Sequence, residues 1–507
     1  MSASIPNLSR VALAATFILS SACVVGPKYV TPAAPGLSPS PAASAFKEPG
    51  PPAFKEAKGW KAGEPRDDMH RGKWWEIFGD PGLNELEEQI DVSNQTIAAA
   101  EAQFRQARAA IRVAHAGLYP TVTGGSTVIG TGTSGNLTTG SAAASLARQF
   151  PLLTIPSVGA TWAPDLWGQV RRQIESATAT AQASAGDLEN ARLSIQSELA
   201  LDYFQMHGLD AEKALLDSNV TAYAQALALT VNRYNQGVAS QVDVAQAQTQ
   251  LEQTRAQSTD TLVARQQFEH AVAILTGKPP SQLTIAAAPI ASQPPVIPGE
   301  LPSELLERRP DIAANERRVA AANAQIGVAI AAYYPTVTLS ASGGFESSSL
   351  LSLFTWPSRF WSVGPSLSET LYDAGRRKGV TEEAQAAYDV TVANYRESVL
   401  TAFQNVEDNL AALRILEQES REQAAAVRYA DRSLQLANAQ YQGGITTYLQ
   451  VITAQEAALL NERTAVQINT RRITASVSLI QALGGGWDVS QLPSGKDVTP
   501  AYNGKRP

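Results

Sequence analysis

The stretch VANYRESVLTAFQNVEDNLAAL, residues 392–413, decides what this chain builds. Val392, Tyr395, Val399, Phe403, Val406, Leu410 and Leu413 step by three or four throughout, which puts them on one stripe of a helix. A seam this narrow, with Ala at neighbouring positions, is what long helices in coiled-coil contact carry. The spacing also occurs upstream at Ile195, Leu199, Tyr203, Met206 and Leu209, and resumes at Leu216, Val220, Tyr223 and Leu227. Both seams lie in proline-free spans, Asp165 to Lys278 and Ser366 to Leu492, and helix-rich chain is what runs so long without proline. The pattern predicts two helices of roughly 65 residues, ~100 Å long, each turning at a glycine into a second helix of about 40 residues. No globular core requires a helix of that length. A tube or a rod does.

Outward from the seams, the chain repeats itself. Tyr119-Pro120-Thr121-Val122-Thr123 returns as Tyr334-Pro335-Thr336-Val337-Thr338. Leu166-Trp167-Gly168-Gln169-Val170-Arg171-Arg172 returns as Leu371-Tyr372-Asp373-Ala374-Gly375-Arg376-Arg377, and Tyr234-Asn235-Gln236-Gly237-Val238 as Tyr441-Gln442-Gly443-Gly444-Ile445. The offsets are 215, 205 and 207 residues, so the copies are collinear. A solenoid unit is only about 20–50 residues long. This is one large unit duplicated, as in symmetric rings, tubes and transporters.

The short segments between helices read as strands. Val337, Leu339, Ala341, Gly343 and Phe345 alternate with Thr336, Thr338, Ser340, Ser342 and Gly344. Trp361, Val363, Pro365 and Leu367 alternate with Ser362, Gly364, Ser366 and Ser368. The first copy is noisier, with Val122, Val128, Val158, Ala160 and Trp162 carrying the pattern. Alternation over about ten residues with aromatics near the ends fits a membrane β-barrel strand, and periodicity alone also allows a soluble half-buried hairpin. Each copy supplies one hairpin, hence four strands per chain. Open edges are not tolerated in lipid, and the smallest membrane barrels have about eight strands. A barrel therefore needs several copies of this chain.

Bulk composition narrows the partners. Charged residues are 17% of 507 and the net charge is −7, without a Lys/Arg block, which argues against nucleic acid. The single cysteine allows no disulfide framework, and the histidines (His70, His115, His207, His270) form no metal-ligand spacing. No metal, cofactor or catalytic constellation is expected, and an enzyme reading fails for want of a nucleophile–base pair.

The N-terminus reads as an address. Arg10 precedes an apolar run from Val11 to Leu19, then Ser20-Ser21-Ala22-Cys23. A basic residue, a short apolar region and small residues describe a secretory signal. The only cysteine directly after them resembles a bacterial lipoprotein signal, in which the cysteine becomes the acylated first residue, carrying palmitate. The alternative is a plain signal peptide with an incidental cysteine. Val24 rather than Asp follows, so by that resemblance the protein goes to the outer membrane. Prolines at 32, 35, 39, 41, 49, 51 and 52 mark an extended leader.

These residues together resemble the outer-membrane efflux proteins, the TolC-like outer membrane factors, and specifically their lipoprotein (NodT-type) branch. The resemblance rests on Cys23-Val24-Val25-Gly26-Pro27-Lys28-Tyr29 and on Trp74-Trp75-Glu76-Ile77-Phe78-Gly79-Asp80-Pro81 with Leu83. It rests further on Leu301-Pro302, Leu305-Leu306-Glu307-Arg308-Arg309-Pro310-Asp311-Ile312 and Ala331-Ala332-Tyr333-Tyr334-Pro335. Arg233-Tyr234-Asn235-Gln236-Gly237 and Gln440-Tyr441-Gln442-Gly443-Gly444 fit as well, so it covers Cys23 to about Trp487.

The resemblance implies a mainly α fold with a small β part. Duplicated long-helix hairpins form a periplasmic α-barrel, joined to a transmembrane β-barrel shared by a homotrimer. The implied organisation is a signal peptide (1–22), an acylated leader (23–59), a first repeat (60–287), a second repeat (288–487) and a tail (488–507). An equatorial belt would draw on 60–82, 278–302 and the tail after Gly484. Such a protein is a passive exit duct for drugs or toxic compounds, docked on a periplasmic adaptor and an inner-membrane pump of the RND type. A duct for type I protein secretion and a pore-less lipid-anchored coiled-coil scaffold are the alternatives.

Arg308-Arg309-Pro310-Asp311 reads as a helix start, with Pro and an acid in the first turn. Gly484-Gly485-Gly486 and Thr276-Gly277-Lys278 read as helix stops, since no GxxxxGK[ST] is present. Gly237 and Gly444 allow positive φ at the helical turns. By the resemblance those turns meet the adaptor, making Gly237, Val238, Ala239, Ser240, Gly444, Ile445, Thr446 and Thr447 the contact candidates. Gate candidates are Asp243, Tyr441 and Gln450. Three copies of Asp243 would ring the entrance and attract cations. Its other reading is a solvated turn acid.

Overall fold

The computed structural model describes residues 24–34, 73–130, 151–290, 294–295 and 308–499. Cys23, the signal segment and the last residues of the tail lie outside them. A short turn of 3-10 helix, Trp74–Phe78, leads into α1 (Pro81–Ser93) and α2 (Gln95–Ala116). The hairpin β1 (Thr121–Gly130) and β2 (Pro151–Trp162) follows, then α3 (Gln169–Asn235) and α4 (Gln241–Leu275). The second copy has α5 (Pro310–Ala331), β3 (Thr336–Ser347), β4 (Arg359–Ser368), α6 (Arg376–Gln442) and α7 (Tyr448–Ala482). A single-turn helix, α8 (Gly495–Val498), lies in the tail.

The duplication is closer in structure than in text. α3 and α6 each have 67 residues, α4 and α7 each 35, α2 and α5 each 22. The returning helices are shorter than the seams suggested, because the chain stops at Gly277 and Gly484, at φ of 70° and 93°. The helical stretch ahead of β1 is in two pieces. Asn94 ends α1 and caps α2, its side chain accepting from the Thr96 and Ile97 amides.

Capping explains the starts of the long helices. Asp165 accepts from the Val170 and Arg171 amides and pairs with the Arg171 guanidinium at 3.1 Å. Asp373 does the same for Arg377, at 2.7 Å. The chain enters each helix through a left-handed glycine, Gly168 or Gly375, where a side chain would be strained.

The four strands form one antiparallel sheet in the order β1-β2-β3-β4, leaving β1 and β4 as open edges. An apolar core gathers around the 3-10 turn and α1. Trp74, Trp75, Phe78, Leu83, Leu86 and Ile90 pack there against Leu199, Phe204, Met206, Val272, Val477 and Ile480.

Candidate functional site

The sheet is the first part of the site. Residues paired across strands point to the same face, so register lines up the faces. Val122, Ala160, Ala341 and Val363 make one row; Trp162, Leu339 and Pro365 make another on the same face. The opposite face carries Thr121, Thr161, Ser340 and Gly364, then Thr123, Gly159, Ser342 and Ser362. One face is fit for hydrocarbon, the other for water. Val122, Val363 and Leu367 are each about two-thirds or more exposed in the protomer. At the helix end of the sheet Trp167 stacks on Tyr334 at 4.9 Å and donates to the Pro335 carbonyl. At the other end Trp361 and Trp356 are exposed, with the Arg359 guanidinium over the Trp356 ring. Aromatic rings at both ends of an apolar band mark membrane interfaces. Among the described residues no helix is long and apolar enough to cross a membrane.

The second part is a groove that holds the start of the leader. The Val25 amide donates to the Trp167 carbonyl at 3.2 Å. The buried Arg172 guanidinium donates to the carbonyls of Val25, Gly26 and Pro27 at 3.0–3.2 Å. Asn323 on α5 also donates to Pro27. Gly26, at φ 100°, lies so close to Gly327 that a Cβ on it would fall 2.5 Å from the Gly327 Cα. Tyr29 donates to the Glu316 carboxylate, and burial together with that carboxylate holds its phenol above the usual range. The leader thus bridges the two repeats. Composition revealed only that it is extended.

The third part is the tip. Gly237 and Gly444 have φ of 71° and 73°, and Val238 and Ile445 are 62% and 80% exposed. Ala239 and Thr446 are half-buried; Ser240 and Thr447 are exposed. Ser240 and Asp243 form a reciprocal capping box at the start of α4, each side chain accepting from the other's amide. The Ser-x-x-acid spacing was a legible signal for that role. Tyr441 is buried, 5.1 Å from Tyr448, in a small core with Ala247, Val451 and Ile452. Burial pushes the Tyr448 phenol up to about 12. Arg233 of the first repeat covers the Tyr441 ring at 4.7 Å and donates to the Gln442 carbonyl. Gln450 is exposed in the first turn of α7. Tyr441 therefore acts through packing, while Asp243 and Gln450 reach solvent at the surface. Arg233 stood in the helical-turn motif without a role, Tyr448 carried no motif, and neither was named for the tip.

A buried polar network ties the segment after α4 to α3 and α4. Asp210 accepts from His207 at 3.0 Å and Arg265 at 3.1 Å; Arg265 pairs with Glu269 at 2.5 Å. The same side chains bind the backbone of residues 285–288: Glu269 accepts from the Ile285 amide, Arg265 donates to its carbonyl, and Asp210 accepts from Ala288. Among the described residues no group of His, Cys, Asp and Glu is arranged to hold a metal ion.

A two-faced sheet with open edges, standing on helices of 67 residues, is the protomer of an outer-membrane channel that extends into the periplasm. The chain belongs to the outer membrane efflux protein family, whose pattern its residues 86–278 and 301–485 match. It is 35% identical to the outer membrane protein OprJ of Pseudomonas aeruginosa, over 64% of this chain and 68% of that protein. It is 31% identical to the solvent efflux pump outer membrane protein SrpC of Pseudomonas putida, over 82% and 88% of the two chains. Among solved structures it resembles the outer-membrane channel OprN, with a TM-score of 0.79, 28% identity, and coverage of 92% of this chain and 100% of that one. The family and these relatives are channel and efflux proteins, and the expectations of fold, outer-membrane location and efflux function hold.

Proposed function

We propose that three copies of this chain form the passive exit duct of a tripartite pump, docked on a periplasmic adaptor and driven by an inner-membrane transporter of the RND type. The cargo is small apolar or amphiphilic compounds. That reading draws on relatives described as solvent, toluene and antibiotic efflux proteins. The observation that carries the duct is the register-wide split of the sheet into an apolar face and a hydroxyl- and glycine-lined face. Hydrogen-bonding groups without charge suit a wide lumen that passes many solutes. The exposed turn residues Val238, Ser240, Ile445 and Thr447, with Gly237, Ala239, Gly444 and Thr446, meet the adaptor. Asp243, Tyr441 and Gln450 set the width of the periplasmic mouth.

Cys23 carries the lipid. In support, Val24 lies against Gly168, next to Trp167, which stacks on Tyr334 at the helix end of the sheet. Mass spectrometry of the mature protein should find an acylated Cys23 at its N-terminus, and an unmodified cysteine within a longer chain would end that assignment. Purified protein in planar bilayers should give discrete single-channel steps. A protein that inserts and conducts nothing is a scaffold, and the duct is then wrong.

A further inference from the structure

The connection between β3 and β4, residues 348–358, has its polar groups inside and its apolar ones outside. It lies at the end of the sheet farthest from the helices, since β3 follows α5 and β4 leads into α6. The helices extend into the periplasm, so this end meets the outer leaflet of the membrane. The Ser347 and Ser352 hydroxyls lie 2.7 Å apart. Those of Thr355 and Ser358 each donate to the Ser352 carbonyl at 2.7 Å, and the Ser347 hydroxyl accepts from the Ser349 amide. Leu351, by contrast, is 97% exposed and Trp356 73%, with Leu350 and Phe354 exposed beside them. Leu353 alone of the loop's leucines is buried. Hydroxyls spent on the loop's own backbone and large apolar groups turned outward suit an apolar solvent, not water.

Register fixes the side on which this loop lies. β3 and β4 pair without a shift from Thr336 with Ser368 to Phe345 with Arg359. Phe345, Arg359 and Trp361 therefore share the face of Leu339, Val363 and Leu367, the one fit for hydrocarbon. Phe354 packs edge-on against Phe345 with centroids 5.8 Å apart, and the Arg359 guanidinium stacks 3.2 Å from the Trp356 ring centroid. Both contacts draw the loop over the apolar face rather than over the lumen. Glu346 points to the opposite face with Thr154, and among the described residues no carboxylate pairs with Arg359.

We propose that the 348–358 loop is a collar seated in the outer leaflet, and that Arg359 on Trp356 binds the phosphate of an anionic lipid there. This goes beyond the duct, and rests on the sheet's spanning the membrane. The cost of a cation on the lipid face falls away toward the interface, where Arg359 stands. Its guanidinium is a planar fork of donors that fits two phosphate oxygens at once. The indole beneath holds the fork in place by cation–π attraction. A lipid is the occupant, rather than free phosphate, because only acyl chains would cover Leu350, Leu351 and Phe354 around the fork.

The test uses the full-length protein, purified in detergent and stripped of native lipid, with diphosphoryl lipid A as the probe. By native mass spectrometry each chain should retain one lipid A. Arg359→Gln should weaken that binding about tenfold or more, since a charge-assisted contact is lost, while single-channel conductance stays that of the wild type. Phosphatase-treated lipid A, and inorganic phosphate alone, should bind the wild type no better than lipid A binds Arg359→Gln. Should Arg359→Gln assemble poorly, Trp356→Leu leaves the sheet and the charge untouched and should still weaken binding about threefold. Equal binding of lipid A by the wild type and these variants overturns the site, and so does dephosphorylated lipid or inorganic phosphate binding as tightly as lipid A. Wild-type protein that conducts but retains no lipid A overturns the site and leaves the duct standing; protein that neither conducts nor retains it overturns both.

Discussion

Asn94 donates from its side-chain amide to the carbonyl of Leu275, 181 residues away, at 2.8 Å. Asn94 caps α2 and Leu275 ends α4, so the bond stacks one helix end to end on the other. The second copy repeats it with different chemistry: Arg309, ahead of α5, donates to the Ala482 carbonyl at the end of α7, at 3.1 Å. Arg309 also pairs with Asp311 at 2.7 Å. The Arg-Arg-Pro-Asp group is thus a splice between helices.

Removing the splice should loosen the upper helices from the lower ones. Asn94→Ala loses a buried cap, about 0.5–2 kcal/mol, and strands a carbonyl that was bonded, about 1–3 kcal/mol. Asn94→Asp keeps the cap acceptor but not the donor and should cost less. Thermal unfolding in detergent ranks the three proteins, and equal melting temperatures would show that the helices are held by packing alone.

Glu87 is fully buried on the apolar stripe of α1, between Leu83 and Ile90, and neither carboxylate oxygen has a partner among the described residues. Burial first, and Asp91 second, push its carboxyl well above the usual range. Folding therefore favours the protonated form. Its stabilising share is fully present below the unfolded value of about 4.3 and is lost as pH rises through the raised folded value. Glu87→Gln cannot ionise. Relative to the wild type, it should gain stability steadily as pH climbs from about 4 toward neutrality. A stability difference that stays constant over that range would mean that Glu87 is already charged in the folded protein.

The two faces of the sheet should respond differently to charge. Leu339→Arg or Val363→Arg places a cation on the apolar face and should cost about 2–4 kcal/mol near the membrane midplane, seen as lost insertion. Ser340→Arg and Ser342→Arg, on the other face, should insert normally and change single-channel conductance. Equal loss of insertion on both faces would contradict the register.

Asp243 has two separable properties, a cap and a charge. Asp243→Asn keeps an acceptor for the Ser240 amide and removes the charge; Asp243→Ala removes both. Cation selectivity should fall in both variants, while helix stability should drop by about 0.5–2 kcal/mol only with Ala. Unchanged selectivity in bilayers would leave Asp243 as a capping residue, and the mouth would rest on Tyr441, Gln450 and their neighbours.

Local patterns were legible because they are written in local physics. The 392–413 seam, the alternation at 336–345 and 361–368, and the glycines at 237 and 444 each reflect one helix face, one strand face or one backbone angle. The Ser240–Asp243 box was equally local. Ahead of the first hairpin Asn94 divides α1 from α2, its side chain capping the second helix.

What the sequence determined by itself is the two long helices and the two faces of each hairpin, set by neighbours a few residues apart, and the doubling of the unit, read from its repeated turns. The tertiary structure alone decided which distant groups meet. It pairs Leu153 with Ser347 across the repeats, seats Arg172 over Gly327 with the leader in its grasp, and buries Tyr441 while its counterpart Tyr234 stays 43% exposed. The two tyrosines occupy the same place in the same motif. Their environments differ because only Tyr441 has Arg233 and Tyr448 packed against it, and such contacts arise from the packing of whole helices.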